Sequence, residues 1–142
     1  MTYLLDVNVL IALIDPAHVN HDAAHDWFAL EGRQNWATCP VTENGLIRIV
    51  GNPKYPNSTG SPAAAIPLLV ALTALPGHVF WPDDICARSS TFLDSQKLLT
   101  SGQVTDSCLL ALAASKNGKL ATLDRRLSVD AVKQGRKHLT VI

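Results

Sequence analysis

Short apolar runs alternate along the chain with longer stretches whose apolar positions recur three and four residues apart. The first run, TYLLD, is β-prone and closes on a polar turn, and VLIALID after it carries a helix-compatible pattern. A strand therefore delivers Asp6 to its C-terminal end. HDAAHDWFALEG sets Ala24, Trp27, Phe28 and Glu31 at helical spacing, with Gly32 as the expected C-terminal cap. NWATCP reads as a short strand ending at Pro40. VTENGLIRIVGNP then puts Val41, Ile47 and Val50, or Leu46 and Ile49, on one side of a helix stopped by Gly51, Asn52 and Pro53.

KYPNSTGS is loop chemistry, after which Ser61 is expected to cap a helix with Pro62 in its first turn; Pro67 should kink that helix or shift its start. HVFWP is a strand candidate and SSTFLDSQKLL a short helix. TDSCLLALAASKNG is the clearest helix, repeating Leu109, Leu112 and Ala113 and ending at Asn117-Gly118. KLATLD follows as a strand, RRLSVDAVKQG as a helix and HLTVI as a last strand. Alternating strands and helices predict a central parallel sheet with helices on both faces, a three-layer α/β/α sandwich. The ligand crevice of such a fold lies outside the carboxyl ends of its strands.

Composition narrows this picture. The 142 residues suit one domain spanning 1–142, and 47% apolar against 17% charged residues excludes intrinsic disorder. Net charge is zero, yet residues 97–142 hold eight Lys and Arg against three acids, whereas residues 1–96 hold four against nine. This asymmetry reads either as a basic face or as a solvated pair of terminal helices. Cys39, Cys86 and Cys108 are odd in number and lack a CxxC, which argues against a disulfide framework or a zinc site and for a reducing compartment. No basic region precedes the first apolar run and Asp6 would interrupt a signal sequence, so a cytoplasmic protein is expected. No Lys, Arg, Asp or Glu occurs from Tyr55 to Pro82, but Pro67, Pro76 and Gly77 break the apolar part, so no membrane span is expected. SPAAAIPLLVALTAL within it reads as a deeply buried helix or as a dimer or other partner surface.

The candidate chemistry is acidic. Strands ending at Asp6 and Asp124 would, as parallel neighbours, bring both carboxylates to one rim, and Asp106 and Glu43 open helices on the same side. Two carboxylates ~4 Å apart repel by about 4 kcal/mol at an effective dielectric of 20, so four together must take up protons or bind a cation. All-oxygen donors favour Mg²⁺ or Mn²⁺. Taken singly, Asp106 and Asp124 read as helix caps and Glu43 as a first-turn acid favoured by the helix dipole. Asp6, flanked by Leu4, Leu5, Val7 and Val9, is costly without a role.

Asp6-Val7-Asn8 after the first strand, Thr42-Glu43 heading the third helix, VTDSCLLALA around Asp106 and LATLDRRL around Asp124 together resemble the PIN-domain nucleases. More narrowly, the sequence is similar to the VapC-type toxins of bacterial type II toxin–antitoxin systems. The resemblance covers almost the whole chain, with only Lys54 to Ser89 generic. It implies a PIN-like fold in which Asp6, Asp106, Glu43 and Asp124 are catalytic metal ligands, the last acting through water. It further implies that Asn8 and Thr122 support this shell and that Arg48, Arg125 and Arg126 contact RNA phosphates. The family often has a second acid beside the Asp124 position, where Arg125 and Arg126 stand here, which leaves the metal count open. The implied activity is Mg²⁺- or Mn²⁺-dependent endoribonuclease cleavage by a metal-activated water. The implied partners are RNA, a cognate small DNA-binding antitoxin and a second copy of the chain. Two rivals stand beside this reading: a non-catalytic PIN-like module that binds RNA or a partner, and an aspartate-nucleophile phosphatase, which would need a second Asp where Asn8 stands.

His18, His21 and His25 cluster without an HExxH-type motif and read as surface or capping residues, with a role near the RNA groove left open. Trp27, Trp36 and Trp81 read as base-stacking or packing residues, Trp36 beside Asn35 being the one singled out for stacking.

Overall fold

The structure, a computed structural model, describes all residues from Met1 to Ile142. Five short strands, β1 (Tyr3–Leu5), β2 (Trp36–Thr38), β3 (His78–Phe80), β4 (Lys119–Thr122) and β5 (Leu139–Val141), form one parallel sheet in the order β3-β2-β1-β4-β5. Because successive side chains point to opposite faces, Leu5, Trp36 and Ala121 enter one core while Leu4, Ala37 and Leu120 enter the other. The first core is covered by α1 (Val7–Ile14), α2 (His21–Leu30), α3 (Pro40–Val50) and α4 (Pro62–Thr73), and the second mainly by α5 (Gln103–Ser115). The three-layer α/β/α arrangement expected from the alternation is the one observed.

Local chemistry explains where the helices stop and start. Pro40 occupies the first turn of α3, where its missing N–H costs nothing, and the Cys39 N–H bonds the Thr42 hydroxyl at 3.1 Å. Ser61 caps α4 by accepting from the Ala64 N–H at 3.2 Å. Pro67 lies inside α4 without shifting its start. α5 ends with Asn117 in the left-handed region, φ 53°, while Gly118 N–H reaches back to the Ala113 carbonyl and Asn117 N–H to Ala114. That is the paired hydrogen bonding of a Schellman terminus, with Asn in the position glycine most often takes. His21 and His25 serve α1: their ring nitrogens lie 2.7 and 2.8 Å from the Ala12 and Leu13 carbonyls, which the helix itself leaves unpaired.

Several expectations need correction. Gly32 is not a C-terminal cap; it opens a 3-10 turn, and a Cβ there would fall 2.6 Å from the Trp27 ring, so close packing demands glycine. SSTFLDSQKLL forms no helix beyond the 3-10 turn Ser95–Lys97. Ser90 and Asp94 hydrogen-bond the backbone two residues on, competing with helix, and Leu93 instead bridges Val132. RRLSVDAVKQG likewise is a chain of turns ending in a 3-10 segment, Gly135–His138. Its buried Leu127, Ala131 and Val132 mimic helical spacing while the Asp124 and Ser128 side chains accept from the N–H groups of Arg126 and Asp130. The basic C-terminal third is therefore not a pair of helices. Its Arg125, Arg126, Lys133, Arg136 and Lys137 are all exposed. Trp36 is wholly buried, edge-on to Phe28, and cannot stack on a base. α4 buries only Ala65 and Leu69 and leaves Ile66 46% and Val70 60% exposed, so the deep-burial reading fails for it. No helix is long and apolar enough to cross a membrane.

Asp15, buried at the end of α1, anchors the loop after α3: it accepts from the Tyr55 hydroxyl, from Asn57 Nδ2 at 2.7 Å and from the Ala17 N–H at 2.9 Å. Burial alone would raise its pKa, but these donors outweigh burial and hold it below the ordinary value, while Tyr55 is pushed up to about 12. A carboxylate lowered in the folded state stabilises fully above its unfolded pKa and loses that contribution as pH falls through the folded one. Asp15→Asn should therefore cost about 1–3 kcal/mol at pH 7 in urea denaturation, and the gap to wild type should close as the pH is lowered below about 4.

Candidate active site

The site begins where β1 ends. Asp6 is 6% exposed and caps α1, one carboxylate oxygen accepting from the Val7 N–H and the other from the Thr122 hydroxyl, both at 2.7 Å. Thr122 ends β4 and is itself buried; its oxygen also receives Asn8 Nδ2 at 3.2 Å and the Asp124 N–H at 3.1 Å. Asn8 completes the stitch by accepting from the Leu123 N–H at 3.1 Å. Asn8 and Thr122 thus lock the start of α1 to the end of β4 around the Asp6 carboxylate. Burial raises the Asp6 pKa, its two hydrogen bonds pull it back down, and Asp124 adds a further upward push.

Asp106 lies in the first turn of α5, but Gly102 holds the cap position, so capping does not account for it. Its pKa is pushed up to about 6, first by burial and then by repulsion from Asp6 and Asp124. Asp124 is exposed and accepts from the Arg126 N–H at 2.8 Å; it closes a turn rather than capping a helix. Three aspartates from β1, α5 and the end of β4 therefore sit within electrostatic reach of one another.

Glu43 stands in the first turn of α3, just beyond the C-terminal end of β2. Its Oε2 accepts from the Thr38 hydroxyl at 2.6 Å, and Thr38 in turn lies 2.8 Å from His78 Nε2. No three carboxylate, imidazole or thiol groups approach closely enough to share one ion. Of the four acids expected to meet, three aspartates are within electrostatic reach of one another without converging on one point, and the fourth, Glu43, is held by Thr38. Sequence reasoning does not single out Thr38 or His78; β2 is buried along its whole length, Thr38 included, and nothing in the chain links Thr38 to a histidine 40 residues away. Arg125 and Arg126 are exposed immediately beyond Asp124. Arg48 is exposed in the last turn of α3, about 7 Å further from the rim than Glu43 along the helix axis. His18, His21 and His25 form no metal site. A surface cavity of about 660 Å³, lined by His25, Phe28, Arg33, Leu75 and Gly77 among others, contains none of these acids, and chemistry rather than cavity size identifies the site.

Comparison with known proteins agrees with this geometry. The PIN domain profile matches residues 3–132. Ribonuclease VapC39 of Mycobacterium tuberculosis is 46% identical over 131 residues, covering 92% of this chain and 94% of that protein. Ribonuclease VapC44 of the same organism is 39% identical over 143 residues and covers both chains in full. Among solved structures, VapBC2 from Rickettsia felis, bound to a DNA fragment from its promoter, superposes with a TM-score of 0.57 over 89% of this chain and 90% of that one, at 16% identity. The last likeness concerns the fold alone. Full-length identity to named relatives, the profile match and aspartates placed on one sheet rim lead to one assignment: the chain belongs to the PIN domain family, among the VapC ribonucleases.

Proposed function

We propose that this protein is an endoribonuclease acting as the toxin of a type II toxin–antitoxin pair, hydrolysing RNA phosphodiesters with the help of a divalent cation. The observation that carries this is the rim where burial and repulsion from Asp6 and Asp124 push Asp106 up to about 6, and where Asp124 also repels the buried Asp6. Such a cluster must be neutralised, and its all-oxygen donors fit Mg²⁺ or Mn²⁺ better than zinc. Asp6, Asp106 and Asp124 would hold the ion, with Glu43 as a further carboxylate. When bound, the ion supplies Lewis-acid stabilisation of the phosphoryl oxygens and makes water a stronger acid at neutral pH.

The chain's own residues do the positioning. Thr122 and Asn8 fix the Asp6 carboxylate, and α5 presents Asp106 from a rigid element. Arg125 and Arg126 stand ready for RNA phosphates, with Lys133, Arg136 and Lys137 extending the exposed basic charge; Arg48 lies further off. The antitoxin is read as a small DNA-binding protein, a reading supported by the promoter-bound VapBC2 neighbour. The apolar residues exposed on α4 suit a homodimer or antitoxin contact, and the cytoplasm is the compartment that fits this partnership. One observation favours a rival, a PIN-like module that binds without cutting: no three of the carboxylates lie close enough together to hold one ion.

Two experiments decide. Freed from any antitoxin and supplied with Mg²⁺ or Mn²⁺, wild type should cleave RNA, while Asp6→Asn and Asp106→Asn lose about 100-fold or more, equivalent to roughly 3 kcal/mol of barrier. Equal growth arrest on induction of all three would sink the catalytic reading. The second concerns the metal-free protein. A carboxyl whose pKa is raised on folding destabilises above that pKa and costs nothing below the unfolded value. In chelator, Asp106→Asn should therefore gain stability above pH 6, on the order of 1 kcal/mol once solvent screening is allowed for, and gain none near pH 4. Saturating Mn²⁺ should reverse the order, with wild type melting higher.

A further inference from the structure

We propose that His78 is a positioning residue of this site, acting through Thr38 to fix the carboxylate of Glu43; the inference rests on the reading of Glu43 as one of the carboxylates that bind the ion. His78 opens β3 directly opposite Trp36 on β2, and Thr38 lies two residues further along β2 on the same face. The imidazole is held against the buried Trp36 ring, with centroids 4.6 Å apart at 55°, and its Nε2 lies 2.8 Å from the Thr38 oxygen. Thr38 is fully buried, so its hydroxyl has no water to turn to.

Proton bookkeeping gives the chain a direction. An ionised Glu43 offers no proton, so the 2.6 Å contact to its Oε2 uses the single hydrogen of the Thr38 hydroxyl. The contact on the other side must then be filled by an N–H from His78, which sets the hydrogen on Nε2. Burial lowers the His78 pKa and the charge of Glu43 offsets this in part, consistent with a neutral ring carrying that hydrogen. His78 donates to Thr38, Thr38 donates to Glu43, and one carboxylate oxygen is committed while Oε1 stays free to face an incoming cation. Without this relay Glu43, partly exposed in the first turn of α3, has several rotamers open to it. Partners that orient a ligand from behind are worth about 10-fold or more in metal affinity.

The test is Mn²⁺ binding by calorimetry on the full chain, without RNA and free of any antitoxin, with thermal melts alongside. His78→Phe keeps a ring against Trp36 but removes the donor, His78→Gln keeps an N–H donor, and Thr38→Val removes the hydroxyl at nearly constant volume. His78→Phe and Thr38→Val should each weaken Mn²⁺ binding about 10-fold. The double variant should be no weaker than either single one, and His78→Gln should recover most of the affinity. Neither loss should appear in a Glu43→Gln background. Should His78→Phe fail to fold, the contrast between Thr38→Ser and Thr38→Val carries the same comparison. Wild-type Mn²⁺ affinity in His78→Phe and Thr38→Val, alongside a clear loss in Glu43→Gln, would make the contact merely structural and overturn the proposal. Unchanged affinity in Glu43→Gln would overturn the reading beneath it.

Discussion

The hydrogen bond between Asp6 and Thr122 is the contact on which the rest of the structure turns. A carboxylate among leucines and valines is costly unless its oxygens are satisfied, and here the partners come from two elements: the first peptide of α1 and the last residue of β4. The α1 N-terminus adds its dipole to the same oxygens. Because Asn8 and the Asp124 N–H share the Thr122 oxygen, burying one charge fixes the relation of β1, β4 and α1 at the middle of the sheet. These same bonds leave Asp6 with unused lone pairs on the rim, since an ionised carboxylate can accept about four hydrogen bonds.

Most of the scaffold was legible because periodicity and punctuation agreed. β1 and β4 are short runs that lead into aspartate-bearing turns, β2 stops before Pro40, and α3 and α5 combine helical spacing with clear stop signals. The segments that misled are those where spacing and local chemistry disagree. Leu127, Ala131 and Val132 are buried at helix-like intervals, but the side chains of Asp124 and Ser128 bond nearby backbone and hold turns instead. α4 misled differently. Its lack of charge suggested burial, yet only one thin stripe of Ala65 and Leu69 faces inward; an uncharged helix and an interior helix are different things.

The candidate site was legible to the extent that it follows from topology. Parallel neighbours ending in aspartate had to share a rim, so Asp6 and Asp124 were placed by strand logic, and Asp106 by the onset of the strongest helix. Side-chain direction was not available from that logic. Glu43 has three rotatable bonds, and its orientation is decided by Thr38 and His78, which meet only because β2 and β3 pair in one register. The histidines of α2 were equally opaque: the carbonyls they meet belong to the end of α1, a relation set by how two helices pack and not by any spacing within α2.

A cluster of acids is a poor place to bring a nucleic acid, whose phosphates it repels. In this chain net charge is zero, so no net attraction of the whole molecule offsets that repulsion. The correction has to be local. Arg125 and Arg126 follow Asp124 directly, in a turn that Asp124 itself holds by accepting the Arg126 N–H. The acid that completes the negative cluster therefore also fixes the backbone that carries the positive charge. Both arginines are exposed and neither forms an ion pair, the sole salt bridge being Lys116 to Asp84. Under the proposed function, these unpaired guanidinium groups would meet an RNA phosphate from one side and a cation held by the carboxylates from the other, so that positive charge would flank the phosphodiester only with the ion bound.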